Sequence, residues 1–227
     1  PQAFKGLIAT LEDEDSIRRK EYLARTVEAD LNSFLDFIKT KRAPAISTGF
    51  KMLDDTLRGG LREGLICVGG ISSLGKTTLA LQIMDNIAKQ GQDVLIFSLE
   101  MSAHELRAKT IARESYNVAI EQTGFSQDAV TTIEILDREL LQALPKQNQA
   151  TFTQAYGRYL KYAKHIFIHE AVGKFTVNDI KARVEEHIKA TGRTPVILVD
   201  YLQILQPAEP GLSDKAKVSY DVLCLNS

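Results

Sequence analysis

The chain has 227 residues, of which 44% are hydrophobic and 25% are charged, values that exclude a disordered or fibrous protein. This length is enough for one sizeable core with an appendage. With 28 basic and 29 acidic residues the net charge is -1, so any contact with nucleic acid must come from a local patch.

Apolar runs in the chain are far shorter than the roughly 18 residues that a membrane helix needs, and no signal peptide is recognisable. We therefore expect no membrane-spanning segment and no membrane partner, and we take the cytoplasm as the compartment. Cys67 and Cys224 have neither metal nor redox spacing, and Cys67 is expected to be a small buried residue in a strand. His165 and His169 lie on a predicted strand, about 13 Å apart, which is too far for one zinc ion.

An amphipathic helix is predicted within residues 13–41. Its apolar positions are three or four residues apart and form one stripe: Leu23, Val27, Leu31, Phe34 and Ile38. This stripe needs a surface, either on its own domain or on a neighbouring subunit, and the sequence favours neither. The pattern then breaks, so we interpret residues 1–44 as a helical linker or arm and residues 45–227 as a second domain.

From Ala45 onwards short apolar runs alternate with helical patterns, which is typical of an α/β protein with a mostly parallel sheet. The predicted strands are residues 65–68, 94–99, 166–168 and 196–199. The first of them leads directly into a glycine-rich loop. The carboxyl ends of parallel strands open onto the ligand crevice in such sheets, so candidate site residues are sought there.

Helical periodicity follows the first three strands. Ser102 with Glu105 and Thr176 with Asp179 are capping boxes, which predict two helix starts. Residues 126–162 are periodic throughout and are predicted to be helical. The expected inward positions are Leu79, Ile83, Met84, Ile87, Leu106, Thr110, Ile111, Val130, Ile133, Leu136, Leu140, Leu144, Phe152, Tyr156, Leu160, Ile180, Val184 and Ile188.

Residues 70–77, GISSLGKT, fit the phosphate-loop pattern G-x-x-x-x-G-K-S/T between a predicted strand and a predicted helix. Glycines let successive N–H groups point inward, and the helix adds the positive end of its dipole, so the loop suits a nucleoside triphosphate. Lys76 is expected to reach the β- and γ-phosphates, and Thr77 to coordinate magnesium; a solvated lysine is the alternative. The predicted nucleotide contacts are Gly70, Ser72, Ser73, Leu74, Gly75, Lys76, Thr77 and Thr78.

Two carboxylates complete the predicted site. Asp200 ends the last apolar strand and is expected to hold magnesium, usually through water, with a helix cap as the alternative. Glu100 follows residues 94–99 and is the candidate base for the attacking water, with a strand-end or capping carboxylate as the alternative. If both converge with Lys76 and Thr77, the chain is an ATP hydrolase with ATP and Mg²⁺ as cofactors.

Three sequence blocks resemble the RecA-like ATPase domain of DnaB-type replicative helicases, of the kind found in primase-helicases of phages or mobile elements. The blocks are ISTGFKMLDDTLRGGLREGLICVGG, VLIFSLEMS and VILVDYLQIL. The resemblance covers residues 46–217, weakly across 117–164. It implies a RecA-like P-loop NTPase fold and a homo-oligomeric ring, usually of six subunits. It also implies that ATP hydrolysis at subunit interfaces drives movement on single-stranded DNA, with a primase or a loader as a further partner.

The resemblance also implies roles for particular residues. In such relatives the glutamate at the position of Glu100 is the catalytic base, and the glutamine of the DYLQ run, Gln203, lies near the nucleotide. A DNA-facing loop follows at 206–217, where Lys215 and Lys217 are candidate phosphate contacts, with ordinary surface lysines as the alternative. The N-terminal helix resembles the linker helix that docks each subunit onto its neighbour.

The chain departs from the family pattern in two places. Ser72 and Ser73 stand where the family's loop commonly has proline, and no run after Tyr220 matches the polar sensor and arginine finger. The chain begins at Pro1 and stops at Ser227 within an apolar run, so we expect a piece with an incomplete C-terminal part. Alternative functions are a RecA-like recombinase or helicase-loader ATPase, or a nucleotide-gated binding module without unwinding.

Overall fold

A computed structural model describes residues 16–20, 22–23, 26–40, 44–71, 73–170 and 175–200 of the chain. Ser72, Gln203, Lys215 and Lys217 lie outside the described residues, as does the predicted DNA-facing loop. The chain divides into two compact units, Pro1–Pro44 and Ala45–Ser227. No helix in the described part of the chain has both the length and the apolar character needed to cross a bilayer.

The first unit contains helix α1, Val27–Lys39, which has acidic residues in its first turn and a lysine in its last. These charges oppose the helix dipole at both ends and so favour the helix. Large apolar side chains line it and are between 44% and 56% exposed: Leu31, Phe34, Leu35, Phe37 and Ile38. The helix predicted from the sequence is therefore formed; five of its apolar side chains are about half exposed, and Val27 is 81% exposed.

The described residues of the second unit form an α/β structure with a three-stranded parallel sheet. Its elements are α2 Lys51–Thr56, α3 Lys76–Lys89, β1 Val94–Ser98, α4 Ala103–Thr123, a 3-10 turn Ser126–Asp128, α5 Thr132–Leu136, α6 Arg138–Ala143, α7 Lys146–Ala163, β2 Ile166–Glu170, α8 Val177–Thr191 and β3 Val196–Asp200. The strand order is β2-β1-β3, and Ser98 is paired with Glu170 on one side and Asp200 on the other. All three carboxyl ends therefore meet at one edge of the sheet.

Strand β1 is the centre of the core, and none of its side chains is more than 2% exposed. Successive side chains of a strand point to opposite faces. Val94 and Ile96 belong to one apolar cluster with residues of α3, α4 and α7, whereas Leu95 and Phe97 belong to a second cluster with α8. Helices therefore cover both faces of the sheet, as the alternating pattern predicts.

Both predicted capping boxes are present in the structure. Ser102 Oγ accepts from the Glu105 N–H, while the Glu105 carboxylate accepts from the Ser102 N–H, and Thr176 with Asp179 does the same. Each box satisfies main-chain N–H groups that a helix start would otherwise leave unpaired. Helices α4 and α8 consequently begin where the sequence places them.

Residues 65–68 do not form the predicted first strand. Leu65, Ile66 and Val68 are 38%, 51% and 49% exposed, and Cys67, expected to be buried, is exposed as well. A short apolar run becomes a strand only when a neighbouring strand pairs its main-chain groups and covers its side chains. No described strand pairs with this segment, so the sequence prediction is wrong here.

Residues 126–162 form three helices and a 3-10 turn instead of one continuous helix. The chain leaves helical geometry at Asp137 and Pro145, and each break shifts the phase of the next helix. In α7 the buried positions are Thr151, Ala155, Tyr159 and Tyr162, which pack towards the core. Several predicted inward side chains of this stretch are 44% to 72% exposed: Ile133, Leu136, Leu140, Tyr156 and Leu160. On other helices Leu79 and Ile188 are 39% and 38% exposed.

Candidate functional site

The start of helix α3 offers main-chain N–H groups to a ligand. Gly75 is the N-cap residue, with φ of 82°, and no side chain caps the helix there. A positive φ of this kind is strained for residues that carry a Cβ atom. Because the first turn also contains no acidic residue, its dipole is not compensated, and this end of the helix suits an anion.

Lys76 and Thr77 stand in the first turn of α3 and are half-buried. The Lys76 Nζ donates a hydrogen bond of 2.9 Å to the carbonyl oxygen of Ile71, so the ammonium group lies against the loop itself. Ser73 in the same loop has φ of 64°, which is uncommon for a residue other than glycine. Strained backbone conformations of this kind are more frequent at ligand-binding sites than elsewhere in proteins.

Asp200 is the last residue of β3 and is partly buried. Its Oδ2 atom is inaccessible to solvent and has no hydrogen-bond partner among the described residues. A buried carboxylate oxygen without a partner is costly and suits a cation or a cation-bound water. Mg²⁺ takes oxygen ligands and commonly uses one or two carboxylates together with phosphates, so Asp200 and the Thr77 hydroxyl are a fitting donor set.

Glu100 lies in the bend directly after β1 and is exposed. Its carboxylate makes no hydrogen bond or ion pair with a described residue, and the cap of α4 is Ser102, so the capping alternative for Glu100 does not hold. The neighbouring Leu99 N–H donates to the main-chain oxygen of Asp200 at 2.9 Å. The structure therefore brings the segments that carry Glu100 and Asp200 side by side at the carboxyl edge of the sheet.

Helix α3 packs against both β1 and β3. It ends at Lys89, shortly before β1 starts at Val94, so the helix runs back across the sheet in the direction opposite to the strand. A helix of 14 residues is about 21 Å long, whereas a strand of five residues is about 17 Å long, so the helix spans the full length of the strands. The first turn of α3 is therefore directed towards the edge that carries both carboxylates.

A buried polar network fastens α3 to α4. Asp85 of α3 is 1% exposed, accepts a hydrogen bond from Thr110 at 2.8 Å and pairs with Arg113. Burial raises the pKa of Asp85, an effect that Arg113 opposes. Lys89 of α3 lies 2.6 Å from the buried Glu114 of α4. The helix after the phosphate loop and the helix after Glu100 are thus joined by charged side chains.

The segment before the phosphate loop is held on α3 as well. Ser47 and Thr48 donate to the carboxylate of Asp54 at 2.6 and 2.7 Å, and these bonds keep the pKa of Asp54 below its ordinary value. Asn86 of α3 donates to the Thr48 carbonyl at 2.9 Å, and Gly49 lies so close that a Cβ atom there would be 2.3 Å from the Asn86 amide nitrogen. This network fixes the block ISTGFKMLDD against the phosphate-loop helix.

The histidines on the sheet have partners within the fold. His165 Nδ1 lies 2.7 Å from Asp93 Oδ1 at the amino edge of the sheet, away from the phosphate loop. His169 stacks on Phe97 with 5.1 Å between ring centroids, and burial lowers its pKa. Among the described residues no group of three or more histidine, cysteine or acidic side chains could hold a metal ion.

Ser98 and Glu170 also stand at the carboxyl edge, and the sequence analysis did not single them out. Ser98 contacts the main chain of Met101, and Glu170 accepts from the N–H of Ala103. Glu170 is the last residue of β2, two positions beyond the predicted strand 166–168, so the strand-end rule applied to the predicted bounds misses it. Ser98 has no comparable signal, because its role depends on the bend that follows it.

Comparisons with known proteins identify the family of the chain. Residues 45–221 match the family model of the DnaB-like helicase C terminal domain. A probable replicative DNA helicase of Guillardia theta is 30% identical over 183 residues, covering 80% of this chain and 27% of the relative. The replicative DNA helicase DnaB of Geobacillus stearothermophilus is 31% identical over 163 residues, covering 71% of this chain and 31% of the relative.

The fold has a counterpart among solved structures. A DnaB-like replicative helicase, solved in a study that included its interactions with primase, superimposes with a TM-score of 0.68 at 21% identity. The match covers 88% of this chain and 44% of that one. The predicted RecA-like α/β fold is therefore confirmed. The chain spans about a third or less of the length of the curated relatives above. It belongs to the family of DnaB-like helicase C-terminal domains.

Proposed function

We propose that this chain is the ATPase motor domain of a DNA helicase, which hydrolyses ATP at subunit interfaces to move on single-stranded DNA during replication. The family supports this assignment, since its curated members named above are replicative DNA helicases. The observation that carries it is the pairing of β1 with β3, where Ser98 lies beside Asp200 and Glu100 follows in the bend, together with the uncapped start of α3.

In this proposal the loop residues bind the triphosphate through main-chain N–H groups and Lys76. The contacts are those predicted from the motif: Gly70, Ser72, Ser73, Leu74, Gly75, Lys76, Thr77 and Thr78. Thr77 and Asp200 would hold Mg²⁺, which when bound neutralises charge on the phosphates. Gln203, outside the described residues, is proposed to lie near the nucleotide.

Glu100 is proposed to orient the attacking water and to accept its proton. The water oxygen bonds to the γ-phosphorus as the bond from that phosphorus to the bridging oxygen of ADP breaks, so the products are ADP and phosphate. An exposed carboxylate without a partner among the described residues is free to contact a water in the crevice. The backbone beside it is held by the bond between Leu99 and Asp200.

The test of this role is Glu100→Gln in the full-length protein with DNA present. General-base catalysis typically contributes about 10²- to 10⁴-fold, so we expect turnover to fall by at least about 10²-fold. The amide is nearly the same size as the carboxylate, so the Kd for ATP is expected to stay within about twofold, measured by equilibrium binding. Glu139→Gln, at an exposed position in α6, is the control. Turnover close to that of the native protein would refute the assignment.

Single-stranded DNA, a homo-oligomeric ring of about six subunits, and a primase or a loader are the proposed partners, with the cytoplasm as the compartment. Lys215 and Lys217 are proposed to contact DNA phosphates. Hydrolysis stimulated by single-stranded DNA together with strand separation would support the motor. Stimulated hydrolysis without strand separation would favour a recombinase or loader, and hydrolysis at background level would favour a nucleotide-gated binding module.

A further inference from the structure

Ser98 holds the bend that carries Glu100 by binding the main chain of Met101. This serine is 2% exposed. Its Oγ donates to the Met101 carbonyl oxygen at 2.5 Å and accepts from the Met101 N–H at 3.2 Å. One buried hydroxyl therefore satisfies both main-chain groups of Met101 and closes the turn around Glu100.

Glu170 holds the end of the bend, where α4 begins. Its Oε1 accepts a hydrogen bond from the N–H of Ala103, the first residue of α4, although the two residues are 67 positions apart. Glu170 is the last residue of β2 and is paired with Ser98 across the sheet. A carboxylate at this place also interacts favourably with the positive end of the dipole of α4, a helix of 21 residues.

This bond is additional to the ordinary cap of α4. The capping box already pairs Ser102 and Glu105 in both directions, at 2.8 Å for the Ser102 N–H and 3.2 Å for the Glu105 N–H. The bond from Ala103 to Glu170 therefore adds an anchor between the helix start and a neighbouring strand. The anchored residue, Ala103, lies three positions after Glu100, so the bond restrains the end of the bend relative to β2.

We propose that Glu170 is a positioning residue for Glu100. It fixes the start of α4 against β2, and through the bend it fixes the carboxylate of Glu100 relative to the phosphates. The proposal rests on the proposed role of Glu100 as the base. In a site that aligns a water, a displacement of about 1 Å costs about 10²-fold in rate, so an anchor of this kind is expected to influence turnover far more than binding.

The main test compares Glu170→Ala with Glu170→Gln in the full-length protein with DNA present. Alanine removes the acceptor, and we expect kcat to fall by about ten- to a hundredfold while the Kd for ATP changes by less than about twofold. Glutamine keeps an oxygen that accepts from the Ala103 N–H, so its kcat is expected within about threefold of the native value. A purely structural role would lower ATP affinity and kcat together.

A second variant removes the same hydrogen bond from the donor side. Ala103 is the first residue of α4, where proline is well tolerated, and Ser102 before it has φ of -69° and ψ of 156°, which suits the residue before proline. Ala103→Pro is therefore expected to lower kcat as much as Glu170→Ala. Because both changes remove the same hydrogen bond, the kcat of the double variant is expected to be no lower than that of either single variant.

Asp137→Ala is the matched control, since Asp137 accepts from the N–H groups of Glu139 and Leu140 at the start of α6. It is expected to lower the Tm while kcat stays unchanged. The proposal is overturned if Glu170→Ala and Ala103→Pro both keep native turnover, if glutamine is as slow as alanine, or if the two losses add. Should Glu100→Gln keep turnover, the proposed function fails instead, so the two failures are distinguishable.

Discussion

The phosphate loop and the bend after β1 both lead into helices at the same site, yet they are held in opposite ways. In the phosphate loop, residues 70, 71 and 73–75 are exposed, and their main-chain N–H groups donate to no described residue. Gly75 caps α3 without the help of a side chain. In the bend, by contrast, Ser98 binds the main chain of Met101 and Glu170 binds the main chain of Ala103, both shortly after Glu100.

This difference follows from what each region must bind. The loop keeps main-chain donors available, because phosphate oxygens need several of them at once. The bend uses its donors within the protein and leaves one carboxylate without a described partner, because an activated water needs a single acceptor at a fixed place. The comparison predicts that the loop is sensitive to loss of charge, whereas the bend is sensitive to loss of an anchor.

Of the variants that test this comparison, Lys76→Ala is expected to have the largest effect, because it removes the positive side chain from the loop. Loss of one group that stabilises developing charge typically costs about 10²- to 10³-fold, and we expect a fall of that size in kcat/KM for ATP. Steady-state hydrolysis with DNA present measures it. Lys161→Ala, at an exposed position in α7, controls for the loss of a positive charge. A variant that hydrolyses ATP like the native protein would show that the loop does not use Lys76.

A smaller effect, on stability, is expected when the connection between the two regions is broken. Arg113→Leu leaves Asp85 of α3 in a buried place without its charged partner, which is expected to lower the free energy of unfolding by about 3 kcal/mol. Denaturant titration followed by circular dichroism measures the change. Arg158→Leu breaks a more exposed pair with Glu121 and is expected to cost less than about 1 kcal/mol. Equal losses in the two variants would contradict the buried network.

The smallest effect is expected at Asp54, which holds the segment before the loop. Its pKa lies below the ordinary value of 3.8, mainly because Ser47 and Thr48 donate to the carboxylate. A lowered pKa in the folded state stabilises the protein above pH 3.8, and this contribution disappears as the pH falls below 3.8 through the lower folded-state value. The Tm of Asp54→Asn is therefore expected to fall less than the Tm of the native protein as the pH is lowered through this range.

Thermal melts between neutral pH and strong acid test this expectation. The neighbouring Asp55→Asn, which removes one exposed pair with Lys51, is the matched control. If Asp54→Asn and the native protein lose Tm in parallel over the acid range, the hydrogen bonds of Asp54 contribute nothing to folding.

Sequence reasoning succeeded where the signal is local. Each predicted capping box needs only a few consecutive residues, and the rule for strand ends needs only an apolar run followed by a carboxylate, as at Asp200. It failed at residues 65–68, because an apolar run does not specify which strand pairs with it. The buried face of α7 was predicted wrongly, because Pro145 interrupts the helical period. The bond of Glu170 joins distant parts of the chain, so no local pattern indicates it.

The exposure of Cys67 has a practical consequence. Its thiol is accessible three positions before Gly70, the first residue of the phosphate loop. In the 227-residue chain with Cys224 replaced by serine, an environment-sensitive dye on Cys67 would change its emission once a ligand binds nearby. Stopped-flow fluorescence could then time the arrival and departure of nucleotides without altering any of the proposed contacts.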